Sequence, residues 1–257
     1  MEDKMFTGFG TGNFSETEAG GTKKETIEYL YKISSDKFKN NVVKMGIPEE
    51  NSIGVSTKDI RKLAKKIGVS QSLSNELWAT GYHEAKLLSV LIADISMINF
   101  AYIDRLMKDV ASWDLCDHIC KNLIVKMPNY EHLIFEWCDD SRTYYKRAAY
   151  CLIATTVVHN KNLATETIDK YLYLIKSYAD EDRPHVKKAI SWALREIGKK
   201  DFCCQEKAII LAHEFCESSS RNLAWIGKDA LRELETLVSV KERSRLITSN
   251  SKMGKQD

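Results

Sequence analysis

From about residue 24 onward, most of the chain places its apolar side chains at the three- and four-residue spacing of amphipathic helices. Between Lys24 and Lys44 the positions Ile27, Leu30, Tyr31, Ile33, Phe38, Val42 and Val43 predict two short helices, broken near Ser34-Ser35 and stopped by Gly46-Ile47-Pro48. Ser56-Thr57-Lys58-Asp59 has the form of a capping box with Asp in the usual place of Glu; it opens a helix through Ile60, Leu63, Ala64 and Ile67 that Gly68 ends. Ser70 caps a short helix carrying Leu73, Leu77 and Trp78, and a strongly apolar helix runs from His83 to about Ala93. Further helices are predicted over 100–110, from Trp113, and over 129–138, 142–158, 165–178, 184–198, 202–216 and 219–238, with Pro184 in a first turn where its missing N–H costs nothing. Residues 1–22, with Gly8, Gly10, Gly12, Gly20 and Gly21, show no sustained period and read as a flexible arm. The expected layout is that arm, one helical domain over 23–240, and a polar, frayed tail over 241–257.

Three of the predicted helices repeat one another. Lys146-Arg147-Ala148-Ala149, Lys187-Lys188-Ala189-Ile190 and Lys228-Asp229-Ala230-Leu231 are similar, and both Ala148 to Ala189 and Ala189 to Ala230 span 41 residues. Each follows another helix, and each carries a small residue that permits close approach. A period near 40 with two helices per repeat is the signature of a HEAT-type solenoid, in which equivalent helices line one concave face. Arg147, Lys188 and Lys228 are then expected to form a ladder along it. The stretch 183–200 is also locally basic, with Arg183, Lys187, Lys188, Arg195, Lys199 and Lys200 against Asp182 and Glu196. Such a stripe suits a phosphate backbone, although a charge run of this kind is also what a merely solvated helix face looks like.

Composition narrows the class. With 44% hydrophobic and 29% charged residues the chain reads as a soluble globular protein, and its formal charge of +2 requires any basic surface to come from local clustering. Seven cysteines, an odd number without CxxC or zinc-type spacing, read as small core residues in a reducing, intracellular setting. Neither a signal peptide nor an apolar run of the roughly 20 residues that cross a bilayer is present. No metal site and no membrane association are expected.

Candidate chemistry sits in Ser112-Trp113-Asp114-Leu115-Cys116-Asp117. Trp113 and Asp117 are four apart, which stacks an aromatic face and a carboxylate on one side of a helix. Ser112 is placed as its N-cap, while Leu115, Cys116, Ile119, Cys120 and Leu123 can face the core. On their own these six residues favour packing over chemistry. His118 invites a general-base reading, but adjacent helical residues point about 100° apart. Trp78, Trp137 and Trp225 sit among apolar neighbours and are expected in the core; His185 is a further candidate phosphate contact, and Glu84 is expected to order an inner face through a basic partner.

Together, Trp113/Asp117, Tyr144-Tyr145-Lys146-Arg147-Ala148-Ala149 and Lys187-Lys188-Ala189-Ile190-Ser191-Trp192-Ala193-Leu194-Arg195-Glu196 resemble the AlkD-type DNA alkylation repair family of HEAT-like repeat proteins, from roughly Val55 to Leu234. The resemblance implies an all-α, curved α-α solenoid with a concave basic cleft. It implies a monofunctional glycosylase that removes cationic N3- or N7-alkylated purines from duplex DNA; that chemistry requires no metal or organic cofactor, and a monomer without an obligate protein partner is expected. By it, Asp117 is the catalytic carboxylate, and Trp113 and Trp192 are aromatics against the lesion's deoxyribose. Arg147 is the cleft arginine that holds the DNA backbone. Lys187, Lys188, Arg195 and Lys228 are expected as further DNA contacts. Tyr144 stands where the family has a tryptophan, and the segment before about Ile47 is harder to match. The alternative is a noncatalytic HEAT-repeat module that binds DNA or a protein through the same face.

Overall fold

The computed structural model describes residues 21–255, so all of the expected arm except Gly21 and Thr22 lies outside the described residues. Thirteen α-helices carry the described chain, with one two-stranded hairpin near its end. The chain divides into two compact units that meet at Asp94 and Ile95, where the helical pattern alone predicts one domain over 23–240.

The first unit holds α1 (Lys23–Lys32), α2 (Asp36–Lys44), α3 (Thr57–Ile67), α4 (Gln71–Trp78) and α5 (His83–Ile92). Thr22, assigned to the arm by its polar surroundings, is the N-cap of α1 in a complete capping box with Glu25. At α3 the expected box is half formed. Ser56 Oγ accepts from the Asp59 N–H at 3.1 Å and donates to Asp59 Oδ2 at 2.7 Å. The Asp side chain, one methylene shorter than Glu, engages the hydroxyl instead of the N-cap backbone.

Buried Glu84 near the start of α5 organises this unit, though not through a basic side chain. Its carboxylate accepts the backbone N–H groups of Ile53 at 3.0 Å, Gly54 at 2.7 Å and Val55 at 3.4 Å, ordering the loop before α3. Gly54 has φ +98°, and a Cβ there would stand 2.7 Å from the Ser35 carbonyl oxygen, so the loop requires glycine at that position.

The second unit holds α6 (Phe100–Lys108), α7 (Trp113–Asn122), α8 (His132–Trp137), α9 (Thr143–His159), α10 (Thr165–Tyr178), α11 (Pro184–Gly198), α12 (Phe202–Glu217) and α13 (Arg221–Leu234). The three sequence-related helices α9, α11 and α13 pack in succession, and α7 packs on α9. This is the stacking of an α-α solenoid built from HEAT-like repeats. Three of its cross-helix bonds share one sequence separation. Arg147 meets the carbonyl of His185, Ser191 meets Asp229, and Arg195 meets Glu233, each pair 38 residues apart. Each is therefore one helical turn short of the 41-residue repeat. Ala148, Ala149, Ala189 and Ala230 are all buried where these helices cross.

The end of the chain departs from the expected frayed tail. α13 stops at Leu234, and β1 (Leu237–Val238) then pairs antiparallel with β2 (Ile247–Thr248). Arg245 docks the hairpin by donating to the carbonyls of Val157 and Glu196 and to the Glu196 carboxylate, each at 2.8 Å. Leu237, Val240 and Leu246 are buried beneath it. Strands of two residues are too short to leave a periodic signal, and a docking arginine reads as a tail charge.

Replacing Glu84 with Ala leaves buried N–H groups of the 53–55 loop without an acceptor. We expect Glu84→Ala to cost about 3 kcal/mol of stability in urea unfolding, and Glu84→Gln less, since its amide oxygen still accepts.

A candidate site on the α7, α9 and α11 faces

The polypeptide reaches this site from three consecutive layers of the second unit. On α7, Trp113, Asp117 and Lys121 follow one another at four-residue spacing and so share a face. Arg147 comes from α9, and His185, Lys188 and Trp192 come from α11. Together these residues line a pocket of about 350 Å³.

Thiol–carbonyl and hydroxyl–carbonyl bonds pin α7 to α9. Cys116 Sγ donates to the Tyr144 carbonyl at 3.3 Å and Cys120 Sγ to the Ala148 carbonyl at 3.9 Å, each 28 residues along the chain. Burial pushes the Cys120 and Cys151 thiols up, so both remain protonated donors and core groups. Tyr144 Oη donates to the carbonyl of Ala111 at 2.8 Å, fixing the turn that enters α7, and its ring stacks on His185 with centroids 6.2 Å apart. Ser112 occupies the N-cap position but makes no capping bond.

At the centre, Arg147 Nε and Nη2 donate to the two oxygens of Asp117, both at 2.9 Å, and Arg147 Nη1 donates to the His185 carbonyl at 2.6 Å. Asp117 is 8% exposed and Arg147 6%. Burial works against the guanidinium's charge, but the adjoining Asp117 carboxylate more than offsets it and raises the Arg147 pKa. The guanidinium also lies 5.6 Å from the centroid of the Trp113 ring, and Lys121 Nζ lies 4.7 Å from that of Trp192. Each aromatic face is thus already beside a cation. Burial and the charges of Arg147 and Lys188 lower the His185 pKa, which leaves the imidazole neutral near pH 7.

A second charged cluster links α9 to the segment that enters α11. Glu181 bonds Arg183, the residue that precedes α11, and pairs with Lys146 at 3.3 Å. Burial alone would raise its pKa, but the Arg183 guanidinium and backbone N–H, with Lys146, hold it at about 2.

Of the residues expected from sequence, Trp113, Asp117, Arg147, Lys188 and Trp192 converge here. Lys187 instead reaches Asn222 at 3.3 Å and lies 5.3 Å from the Trp225 ring centroid, while Arg195 pairs with Glu233 at 2.8 Å. Lys228 is exposed and does not line the pocket. The expected ladder of Arg147, Lys188 and Lys228 is therefore not formed. A shift of 41 residues carries Lys188 to Asp229 and carries Lys187 to Lys228. Arg147, expected to grip a phosphate, is turned onto Asp117 and the His185 carbonyl. His118 is buried and does not line the pocket. Trp78 and Trp137 are core residues as expected, whereas Trp225 is half-buried beside Lys187. Lys121, eight residues after Trp113 on the same helix face, joins the pocket in addition to the residues expected from sequence.

A family model described as DNA alkylation repair enzyme matches residues 26–234. A comparison with curated proteins finds no match. Among solved structures, one described as a new family of proteins related to the HEAT-like repeat DNA glycosylases, with affinity for branched DNA structures, is similar to this chain. It is 20% identical, covers 91% of this chain and 93% of its own, and superposes with a TM-score of 0.69, a likeness of fold. A designed armadillo repeat protein in complex with the peptide (KR)4 aligns at 17% identity over 84% of this chain and 88% of its own, with a TM-score of 0.31. Among the described residues, no helix is long and apolar enough to cross a membrane.

Two stability predictions follow from the charges that hold the pocket. Arg147→Met strands a buried carboxylate and should cost about 3–5 kcal/mol in urea unfolding, much of it recovered when Asp117→Asn is added. Glu181 has a depressed pKa in the folded state, so its contribution is fully present above its ordinary value near 4.5 and is lost as pH falls toward about 2. The drop in urea midpoint between pH 6 and pH 3 should be smaller in Glu181→Gln than in the unaltered protein.

Proposed function

The chain belongs to the DNA alkylation repair enzyme family, and from that premise we propose that it excises cationic N3- or N7-alkylated purines from duplex DNA by hydrolysing the N-glycosidic bond. The observation that carries this reading is the convergence of one carboxylate, Asp117, with the indoles of Trp113 and Trp192 in a single pocket. A scaffold has no need to hold those groups together.

The chemistry follows from the substrate's charge. An N3- or N7-alkylated purine is already cationic and departs as a neutral base, so no general acid is needed. The sugar left behind develops oxocarbenium character, as in glycoside hydrolysis generally. Asp117 stabilises that cation and orients a water toward C1′. Although both of its oxygens accept from Arg147, each keeps a second lone pair that can accept from the water. Arg147 acts first on Asp117, holding the carboxylate in place through two hydrogen bonds at 2.9 Å. Trp113 and Trp192 press their π faces against the positively charged sugar, an attraction of about 0.5–2 kcal/mol each. Lys188 contacts the DNA backbone from the pocket lining; Lys187, Arg195 and Lys228, which do not line it, add positive charge outside it. No metal or organic cofactor enters the scheme.

A second reading is DNA binding without excision. It is favoured by the affinity for branched DNA structures of the structural neighbour, and by the ion pair that engages both oxygens of Asp117.

Release of methylated purine from alkylated duplex DNA separates the two. The unaltered protein should release it, and Asp117→Asn should lose about a hundredfold or more in rate while retaining DNA binding. Salt-sensitive binding to duplex or branched DNA with no release by either protein would establish the binding reading instead.

A further inference from the structure

Arg147 leaves a gap in the expected division of labour. The guanidinium expected to hold a phosphate commits three of its five N–H donors, one each from Nε, Nη1 and Nη2, to Asp117 and the His185 carbonyl. Lys187 and Arg195 are likewise engaged with α13 side chains. Two other cations line the pocket, Lys121 and Lys188, and among the described residues neither forms an ion pair with a carboxylate. Asp117 is the one acidic residue in the lining, and it is already matched by Arg147. The pocket therefore carries two ammonium charges in excess, which is the demand of an anion.

We infer that Lys121 and Lys188 form a phosphate site inside this pocket, taking one backbone phosphodiester beside the nucleotide on which Asp117 acts. The inference deepens the proposed function and rests on its premise that DNA enters this pocket.

Lys121 is suited to that role by where its ammonium is held. The Trp192 ring lies on one side of it, with Nζ 4.7 Å from the centroid. A lysine ammonium has three donors, and a ring face occupies at most one side, so the others remain available to an anion. Trp192 then serves two purposes, as an aromatic wall and as the platform that orders a flexible four-carbon side chain before DNA arrives. Lys188 lies one turn before Trp192 on α11 and supplies the second ammonium from the opposite helix. A phosphodiester gripped from α7 and α11 at once would have its position fixed relative to Asp117, which stands one turn from Lys121 on α7.

The test is a coupling measurement on the full chain. The probe is a duplex with one tetrahydrofuran abasic analogue, in which single phosphates around it are replaced in turn by uncharged methylphosphonate. At one linkage flanking the analogue, replacement should weaken binding by the unaltered protein about tenfold, the scale of a lost charge-assisted hydrogen bond. Lys121→Met should bind the unmodified duplex more weakly and be insensitive to replacement at that linkage. Lys121→Arg should keep the sensitivity, and Lys161→Met, at an exposed lysine outside the pocket, should behave as the unaltered protein. Thermal unfolding of Lys121→Met near that of the unaltered protein excludes a folding defect. Undiminished sensitivity of Lys121→Met at every linkage, or no sensitive linkage in the unaltered protein, overturns the phosphate site. The outcome is independent of excision: coupling without release of methylated purine sinks the glycosylase reading and leaves the phosphate site standing, and release without coupling does the reverse.

Discussion

One guanidinium ties three layers of the helical stack together. Arg147 projects from the second turn of α9, takes both oxygens of Asp117 on α7, and bonds the backbone of His185 at the start of α11. A charged pair this deeply buried contributes little net stability when complete and costs several kcal/mol when broken. Its effect is on geometry. α7 and α11 cannot slide along α9 without stranding a charge, so the aromatic residues they carry, Trp113 and Trp192, keep a fixed spacing across the pocket. The alanines at 148 and 149, both fully buried, let the helices approach closely enough for the pair to form.

The pocket's charge has a shape as well as a sign. A single carboxylate lies at its centre among Arg147, Lys121, Lys188 and a histidine whose pKa is lowered by burial and by the charges of Arg147 and Lys188. In the proposed reaction this arrangement divides the nucleotide by charge. The polyanionic backbone is drawn to the lysines, and the only acidic group available to a developing positive sugar is Asp117. Trp113 and Trp192 complete the partition, because a π face accepts a cation and has no attraction for a phosphate.

Much of this was legible in the chain itself. The helices, the 41-residue repeat and the shared face of Trp113 and Asp117 all arise from spacing, and spacing survives folding because a helix has one period. What escaped was decided by single residues or by backbone groups. Lys187 and Lys188 are neighbours in sequence but about 100° apart on α11, so one goes to Trp225 and the other to the pocket. Glu84 satisfies itself on three backbone N–H groups, which every loop possesses and no pattern of side chains announces. Lys121 lies one turn after Asp117, just beyond the Ser112–Asp117 stretch, and a single lysine at that spacing has no signature of its own. The hairpin at Leu237 and Ile247 is too short for alternation to register, and its docking depends on carbonyls supplied by α9 and α11.

The recurrence of bonds 38 residues apart bears on which length changes this chain can absorb over evolutionary time. Those bonds join residues within helices, and the connecting loops carry only the remainder of the count. An insertion between Tyr178 and Arg183 would alter the count while leaving every helix face pointing as before. A single residue inserted within α11 between His185 and Trp192 would turn all that follows by about 100°. Trp192 would leave the pocket, and Ser191 and Arg195 would lose their partners on α13. Tolerance to insertion should therefore be banded along the second unit, permissive in the connections and forbidden within the helices. That banding reflects angular register, and it would hold even where the helix surfaces are otherwise free to vary.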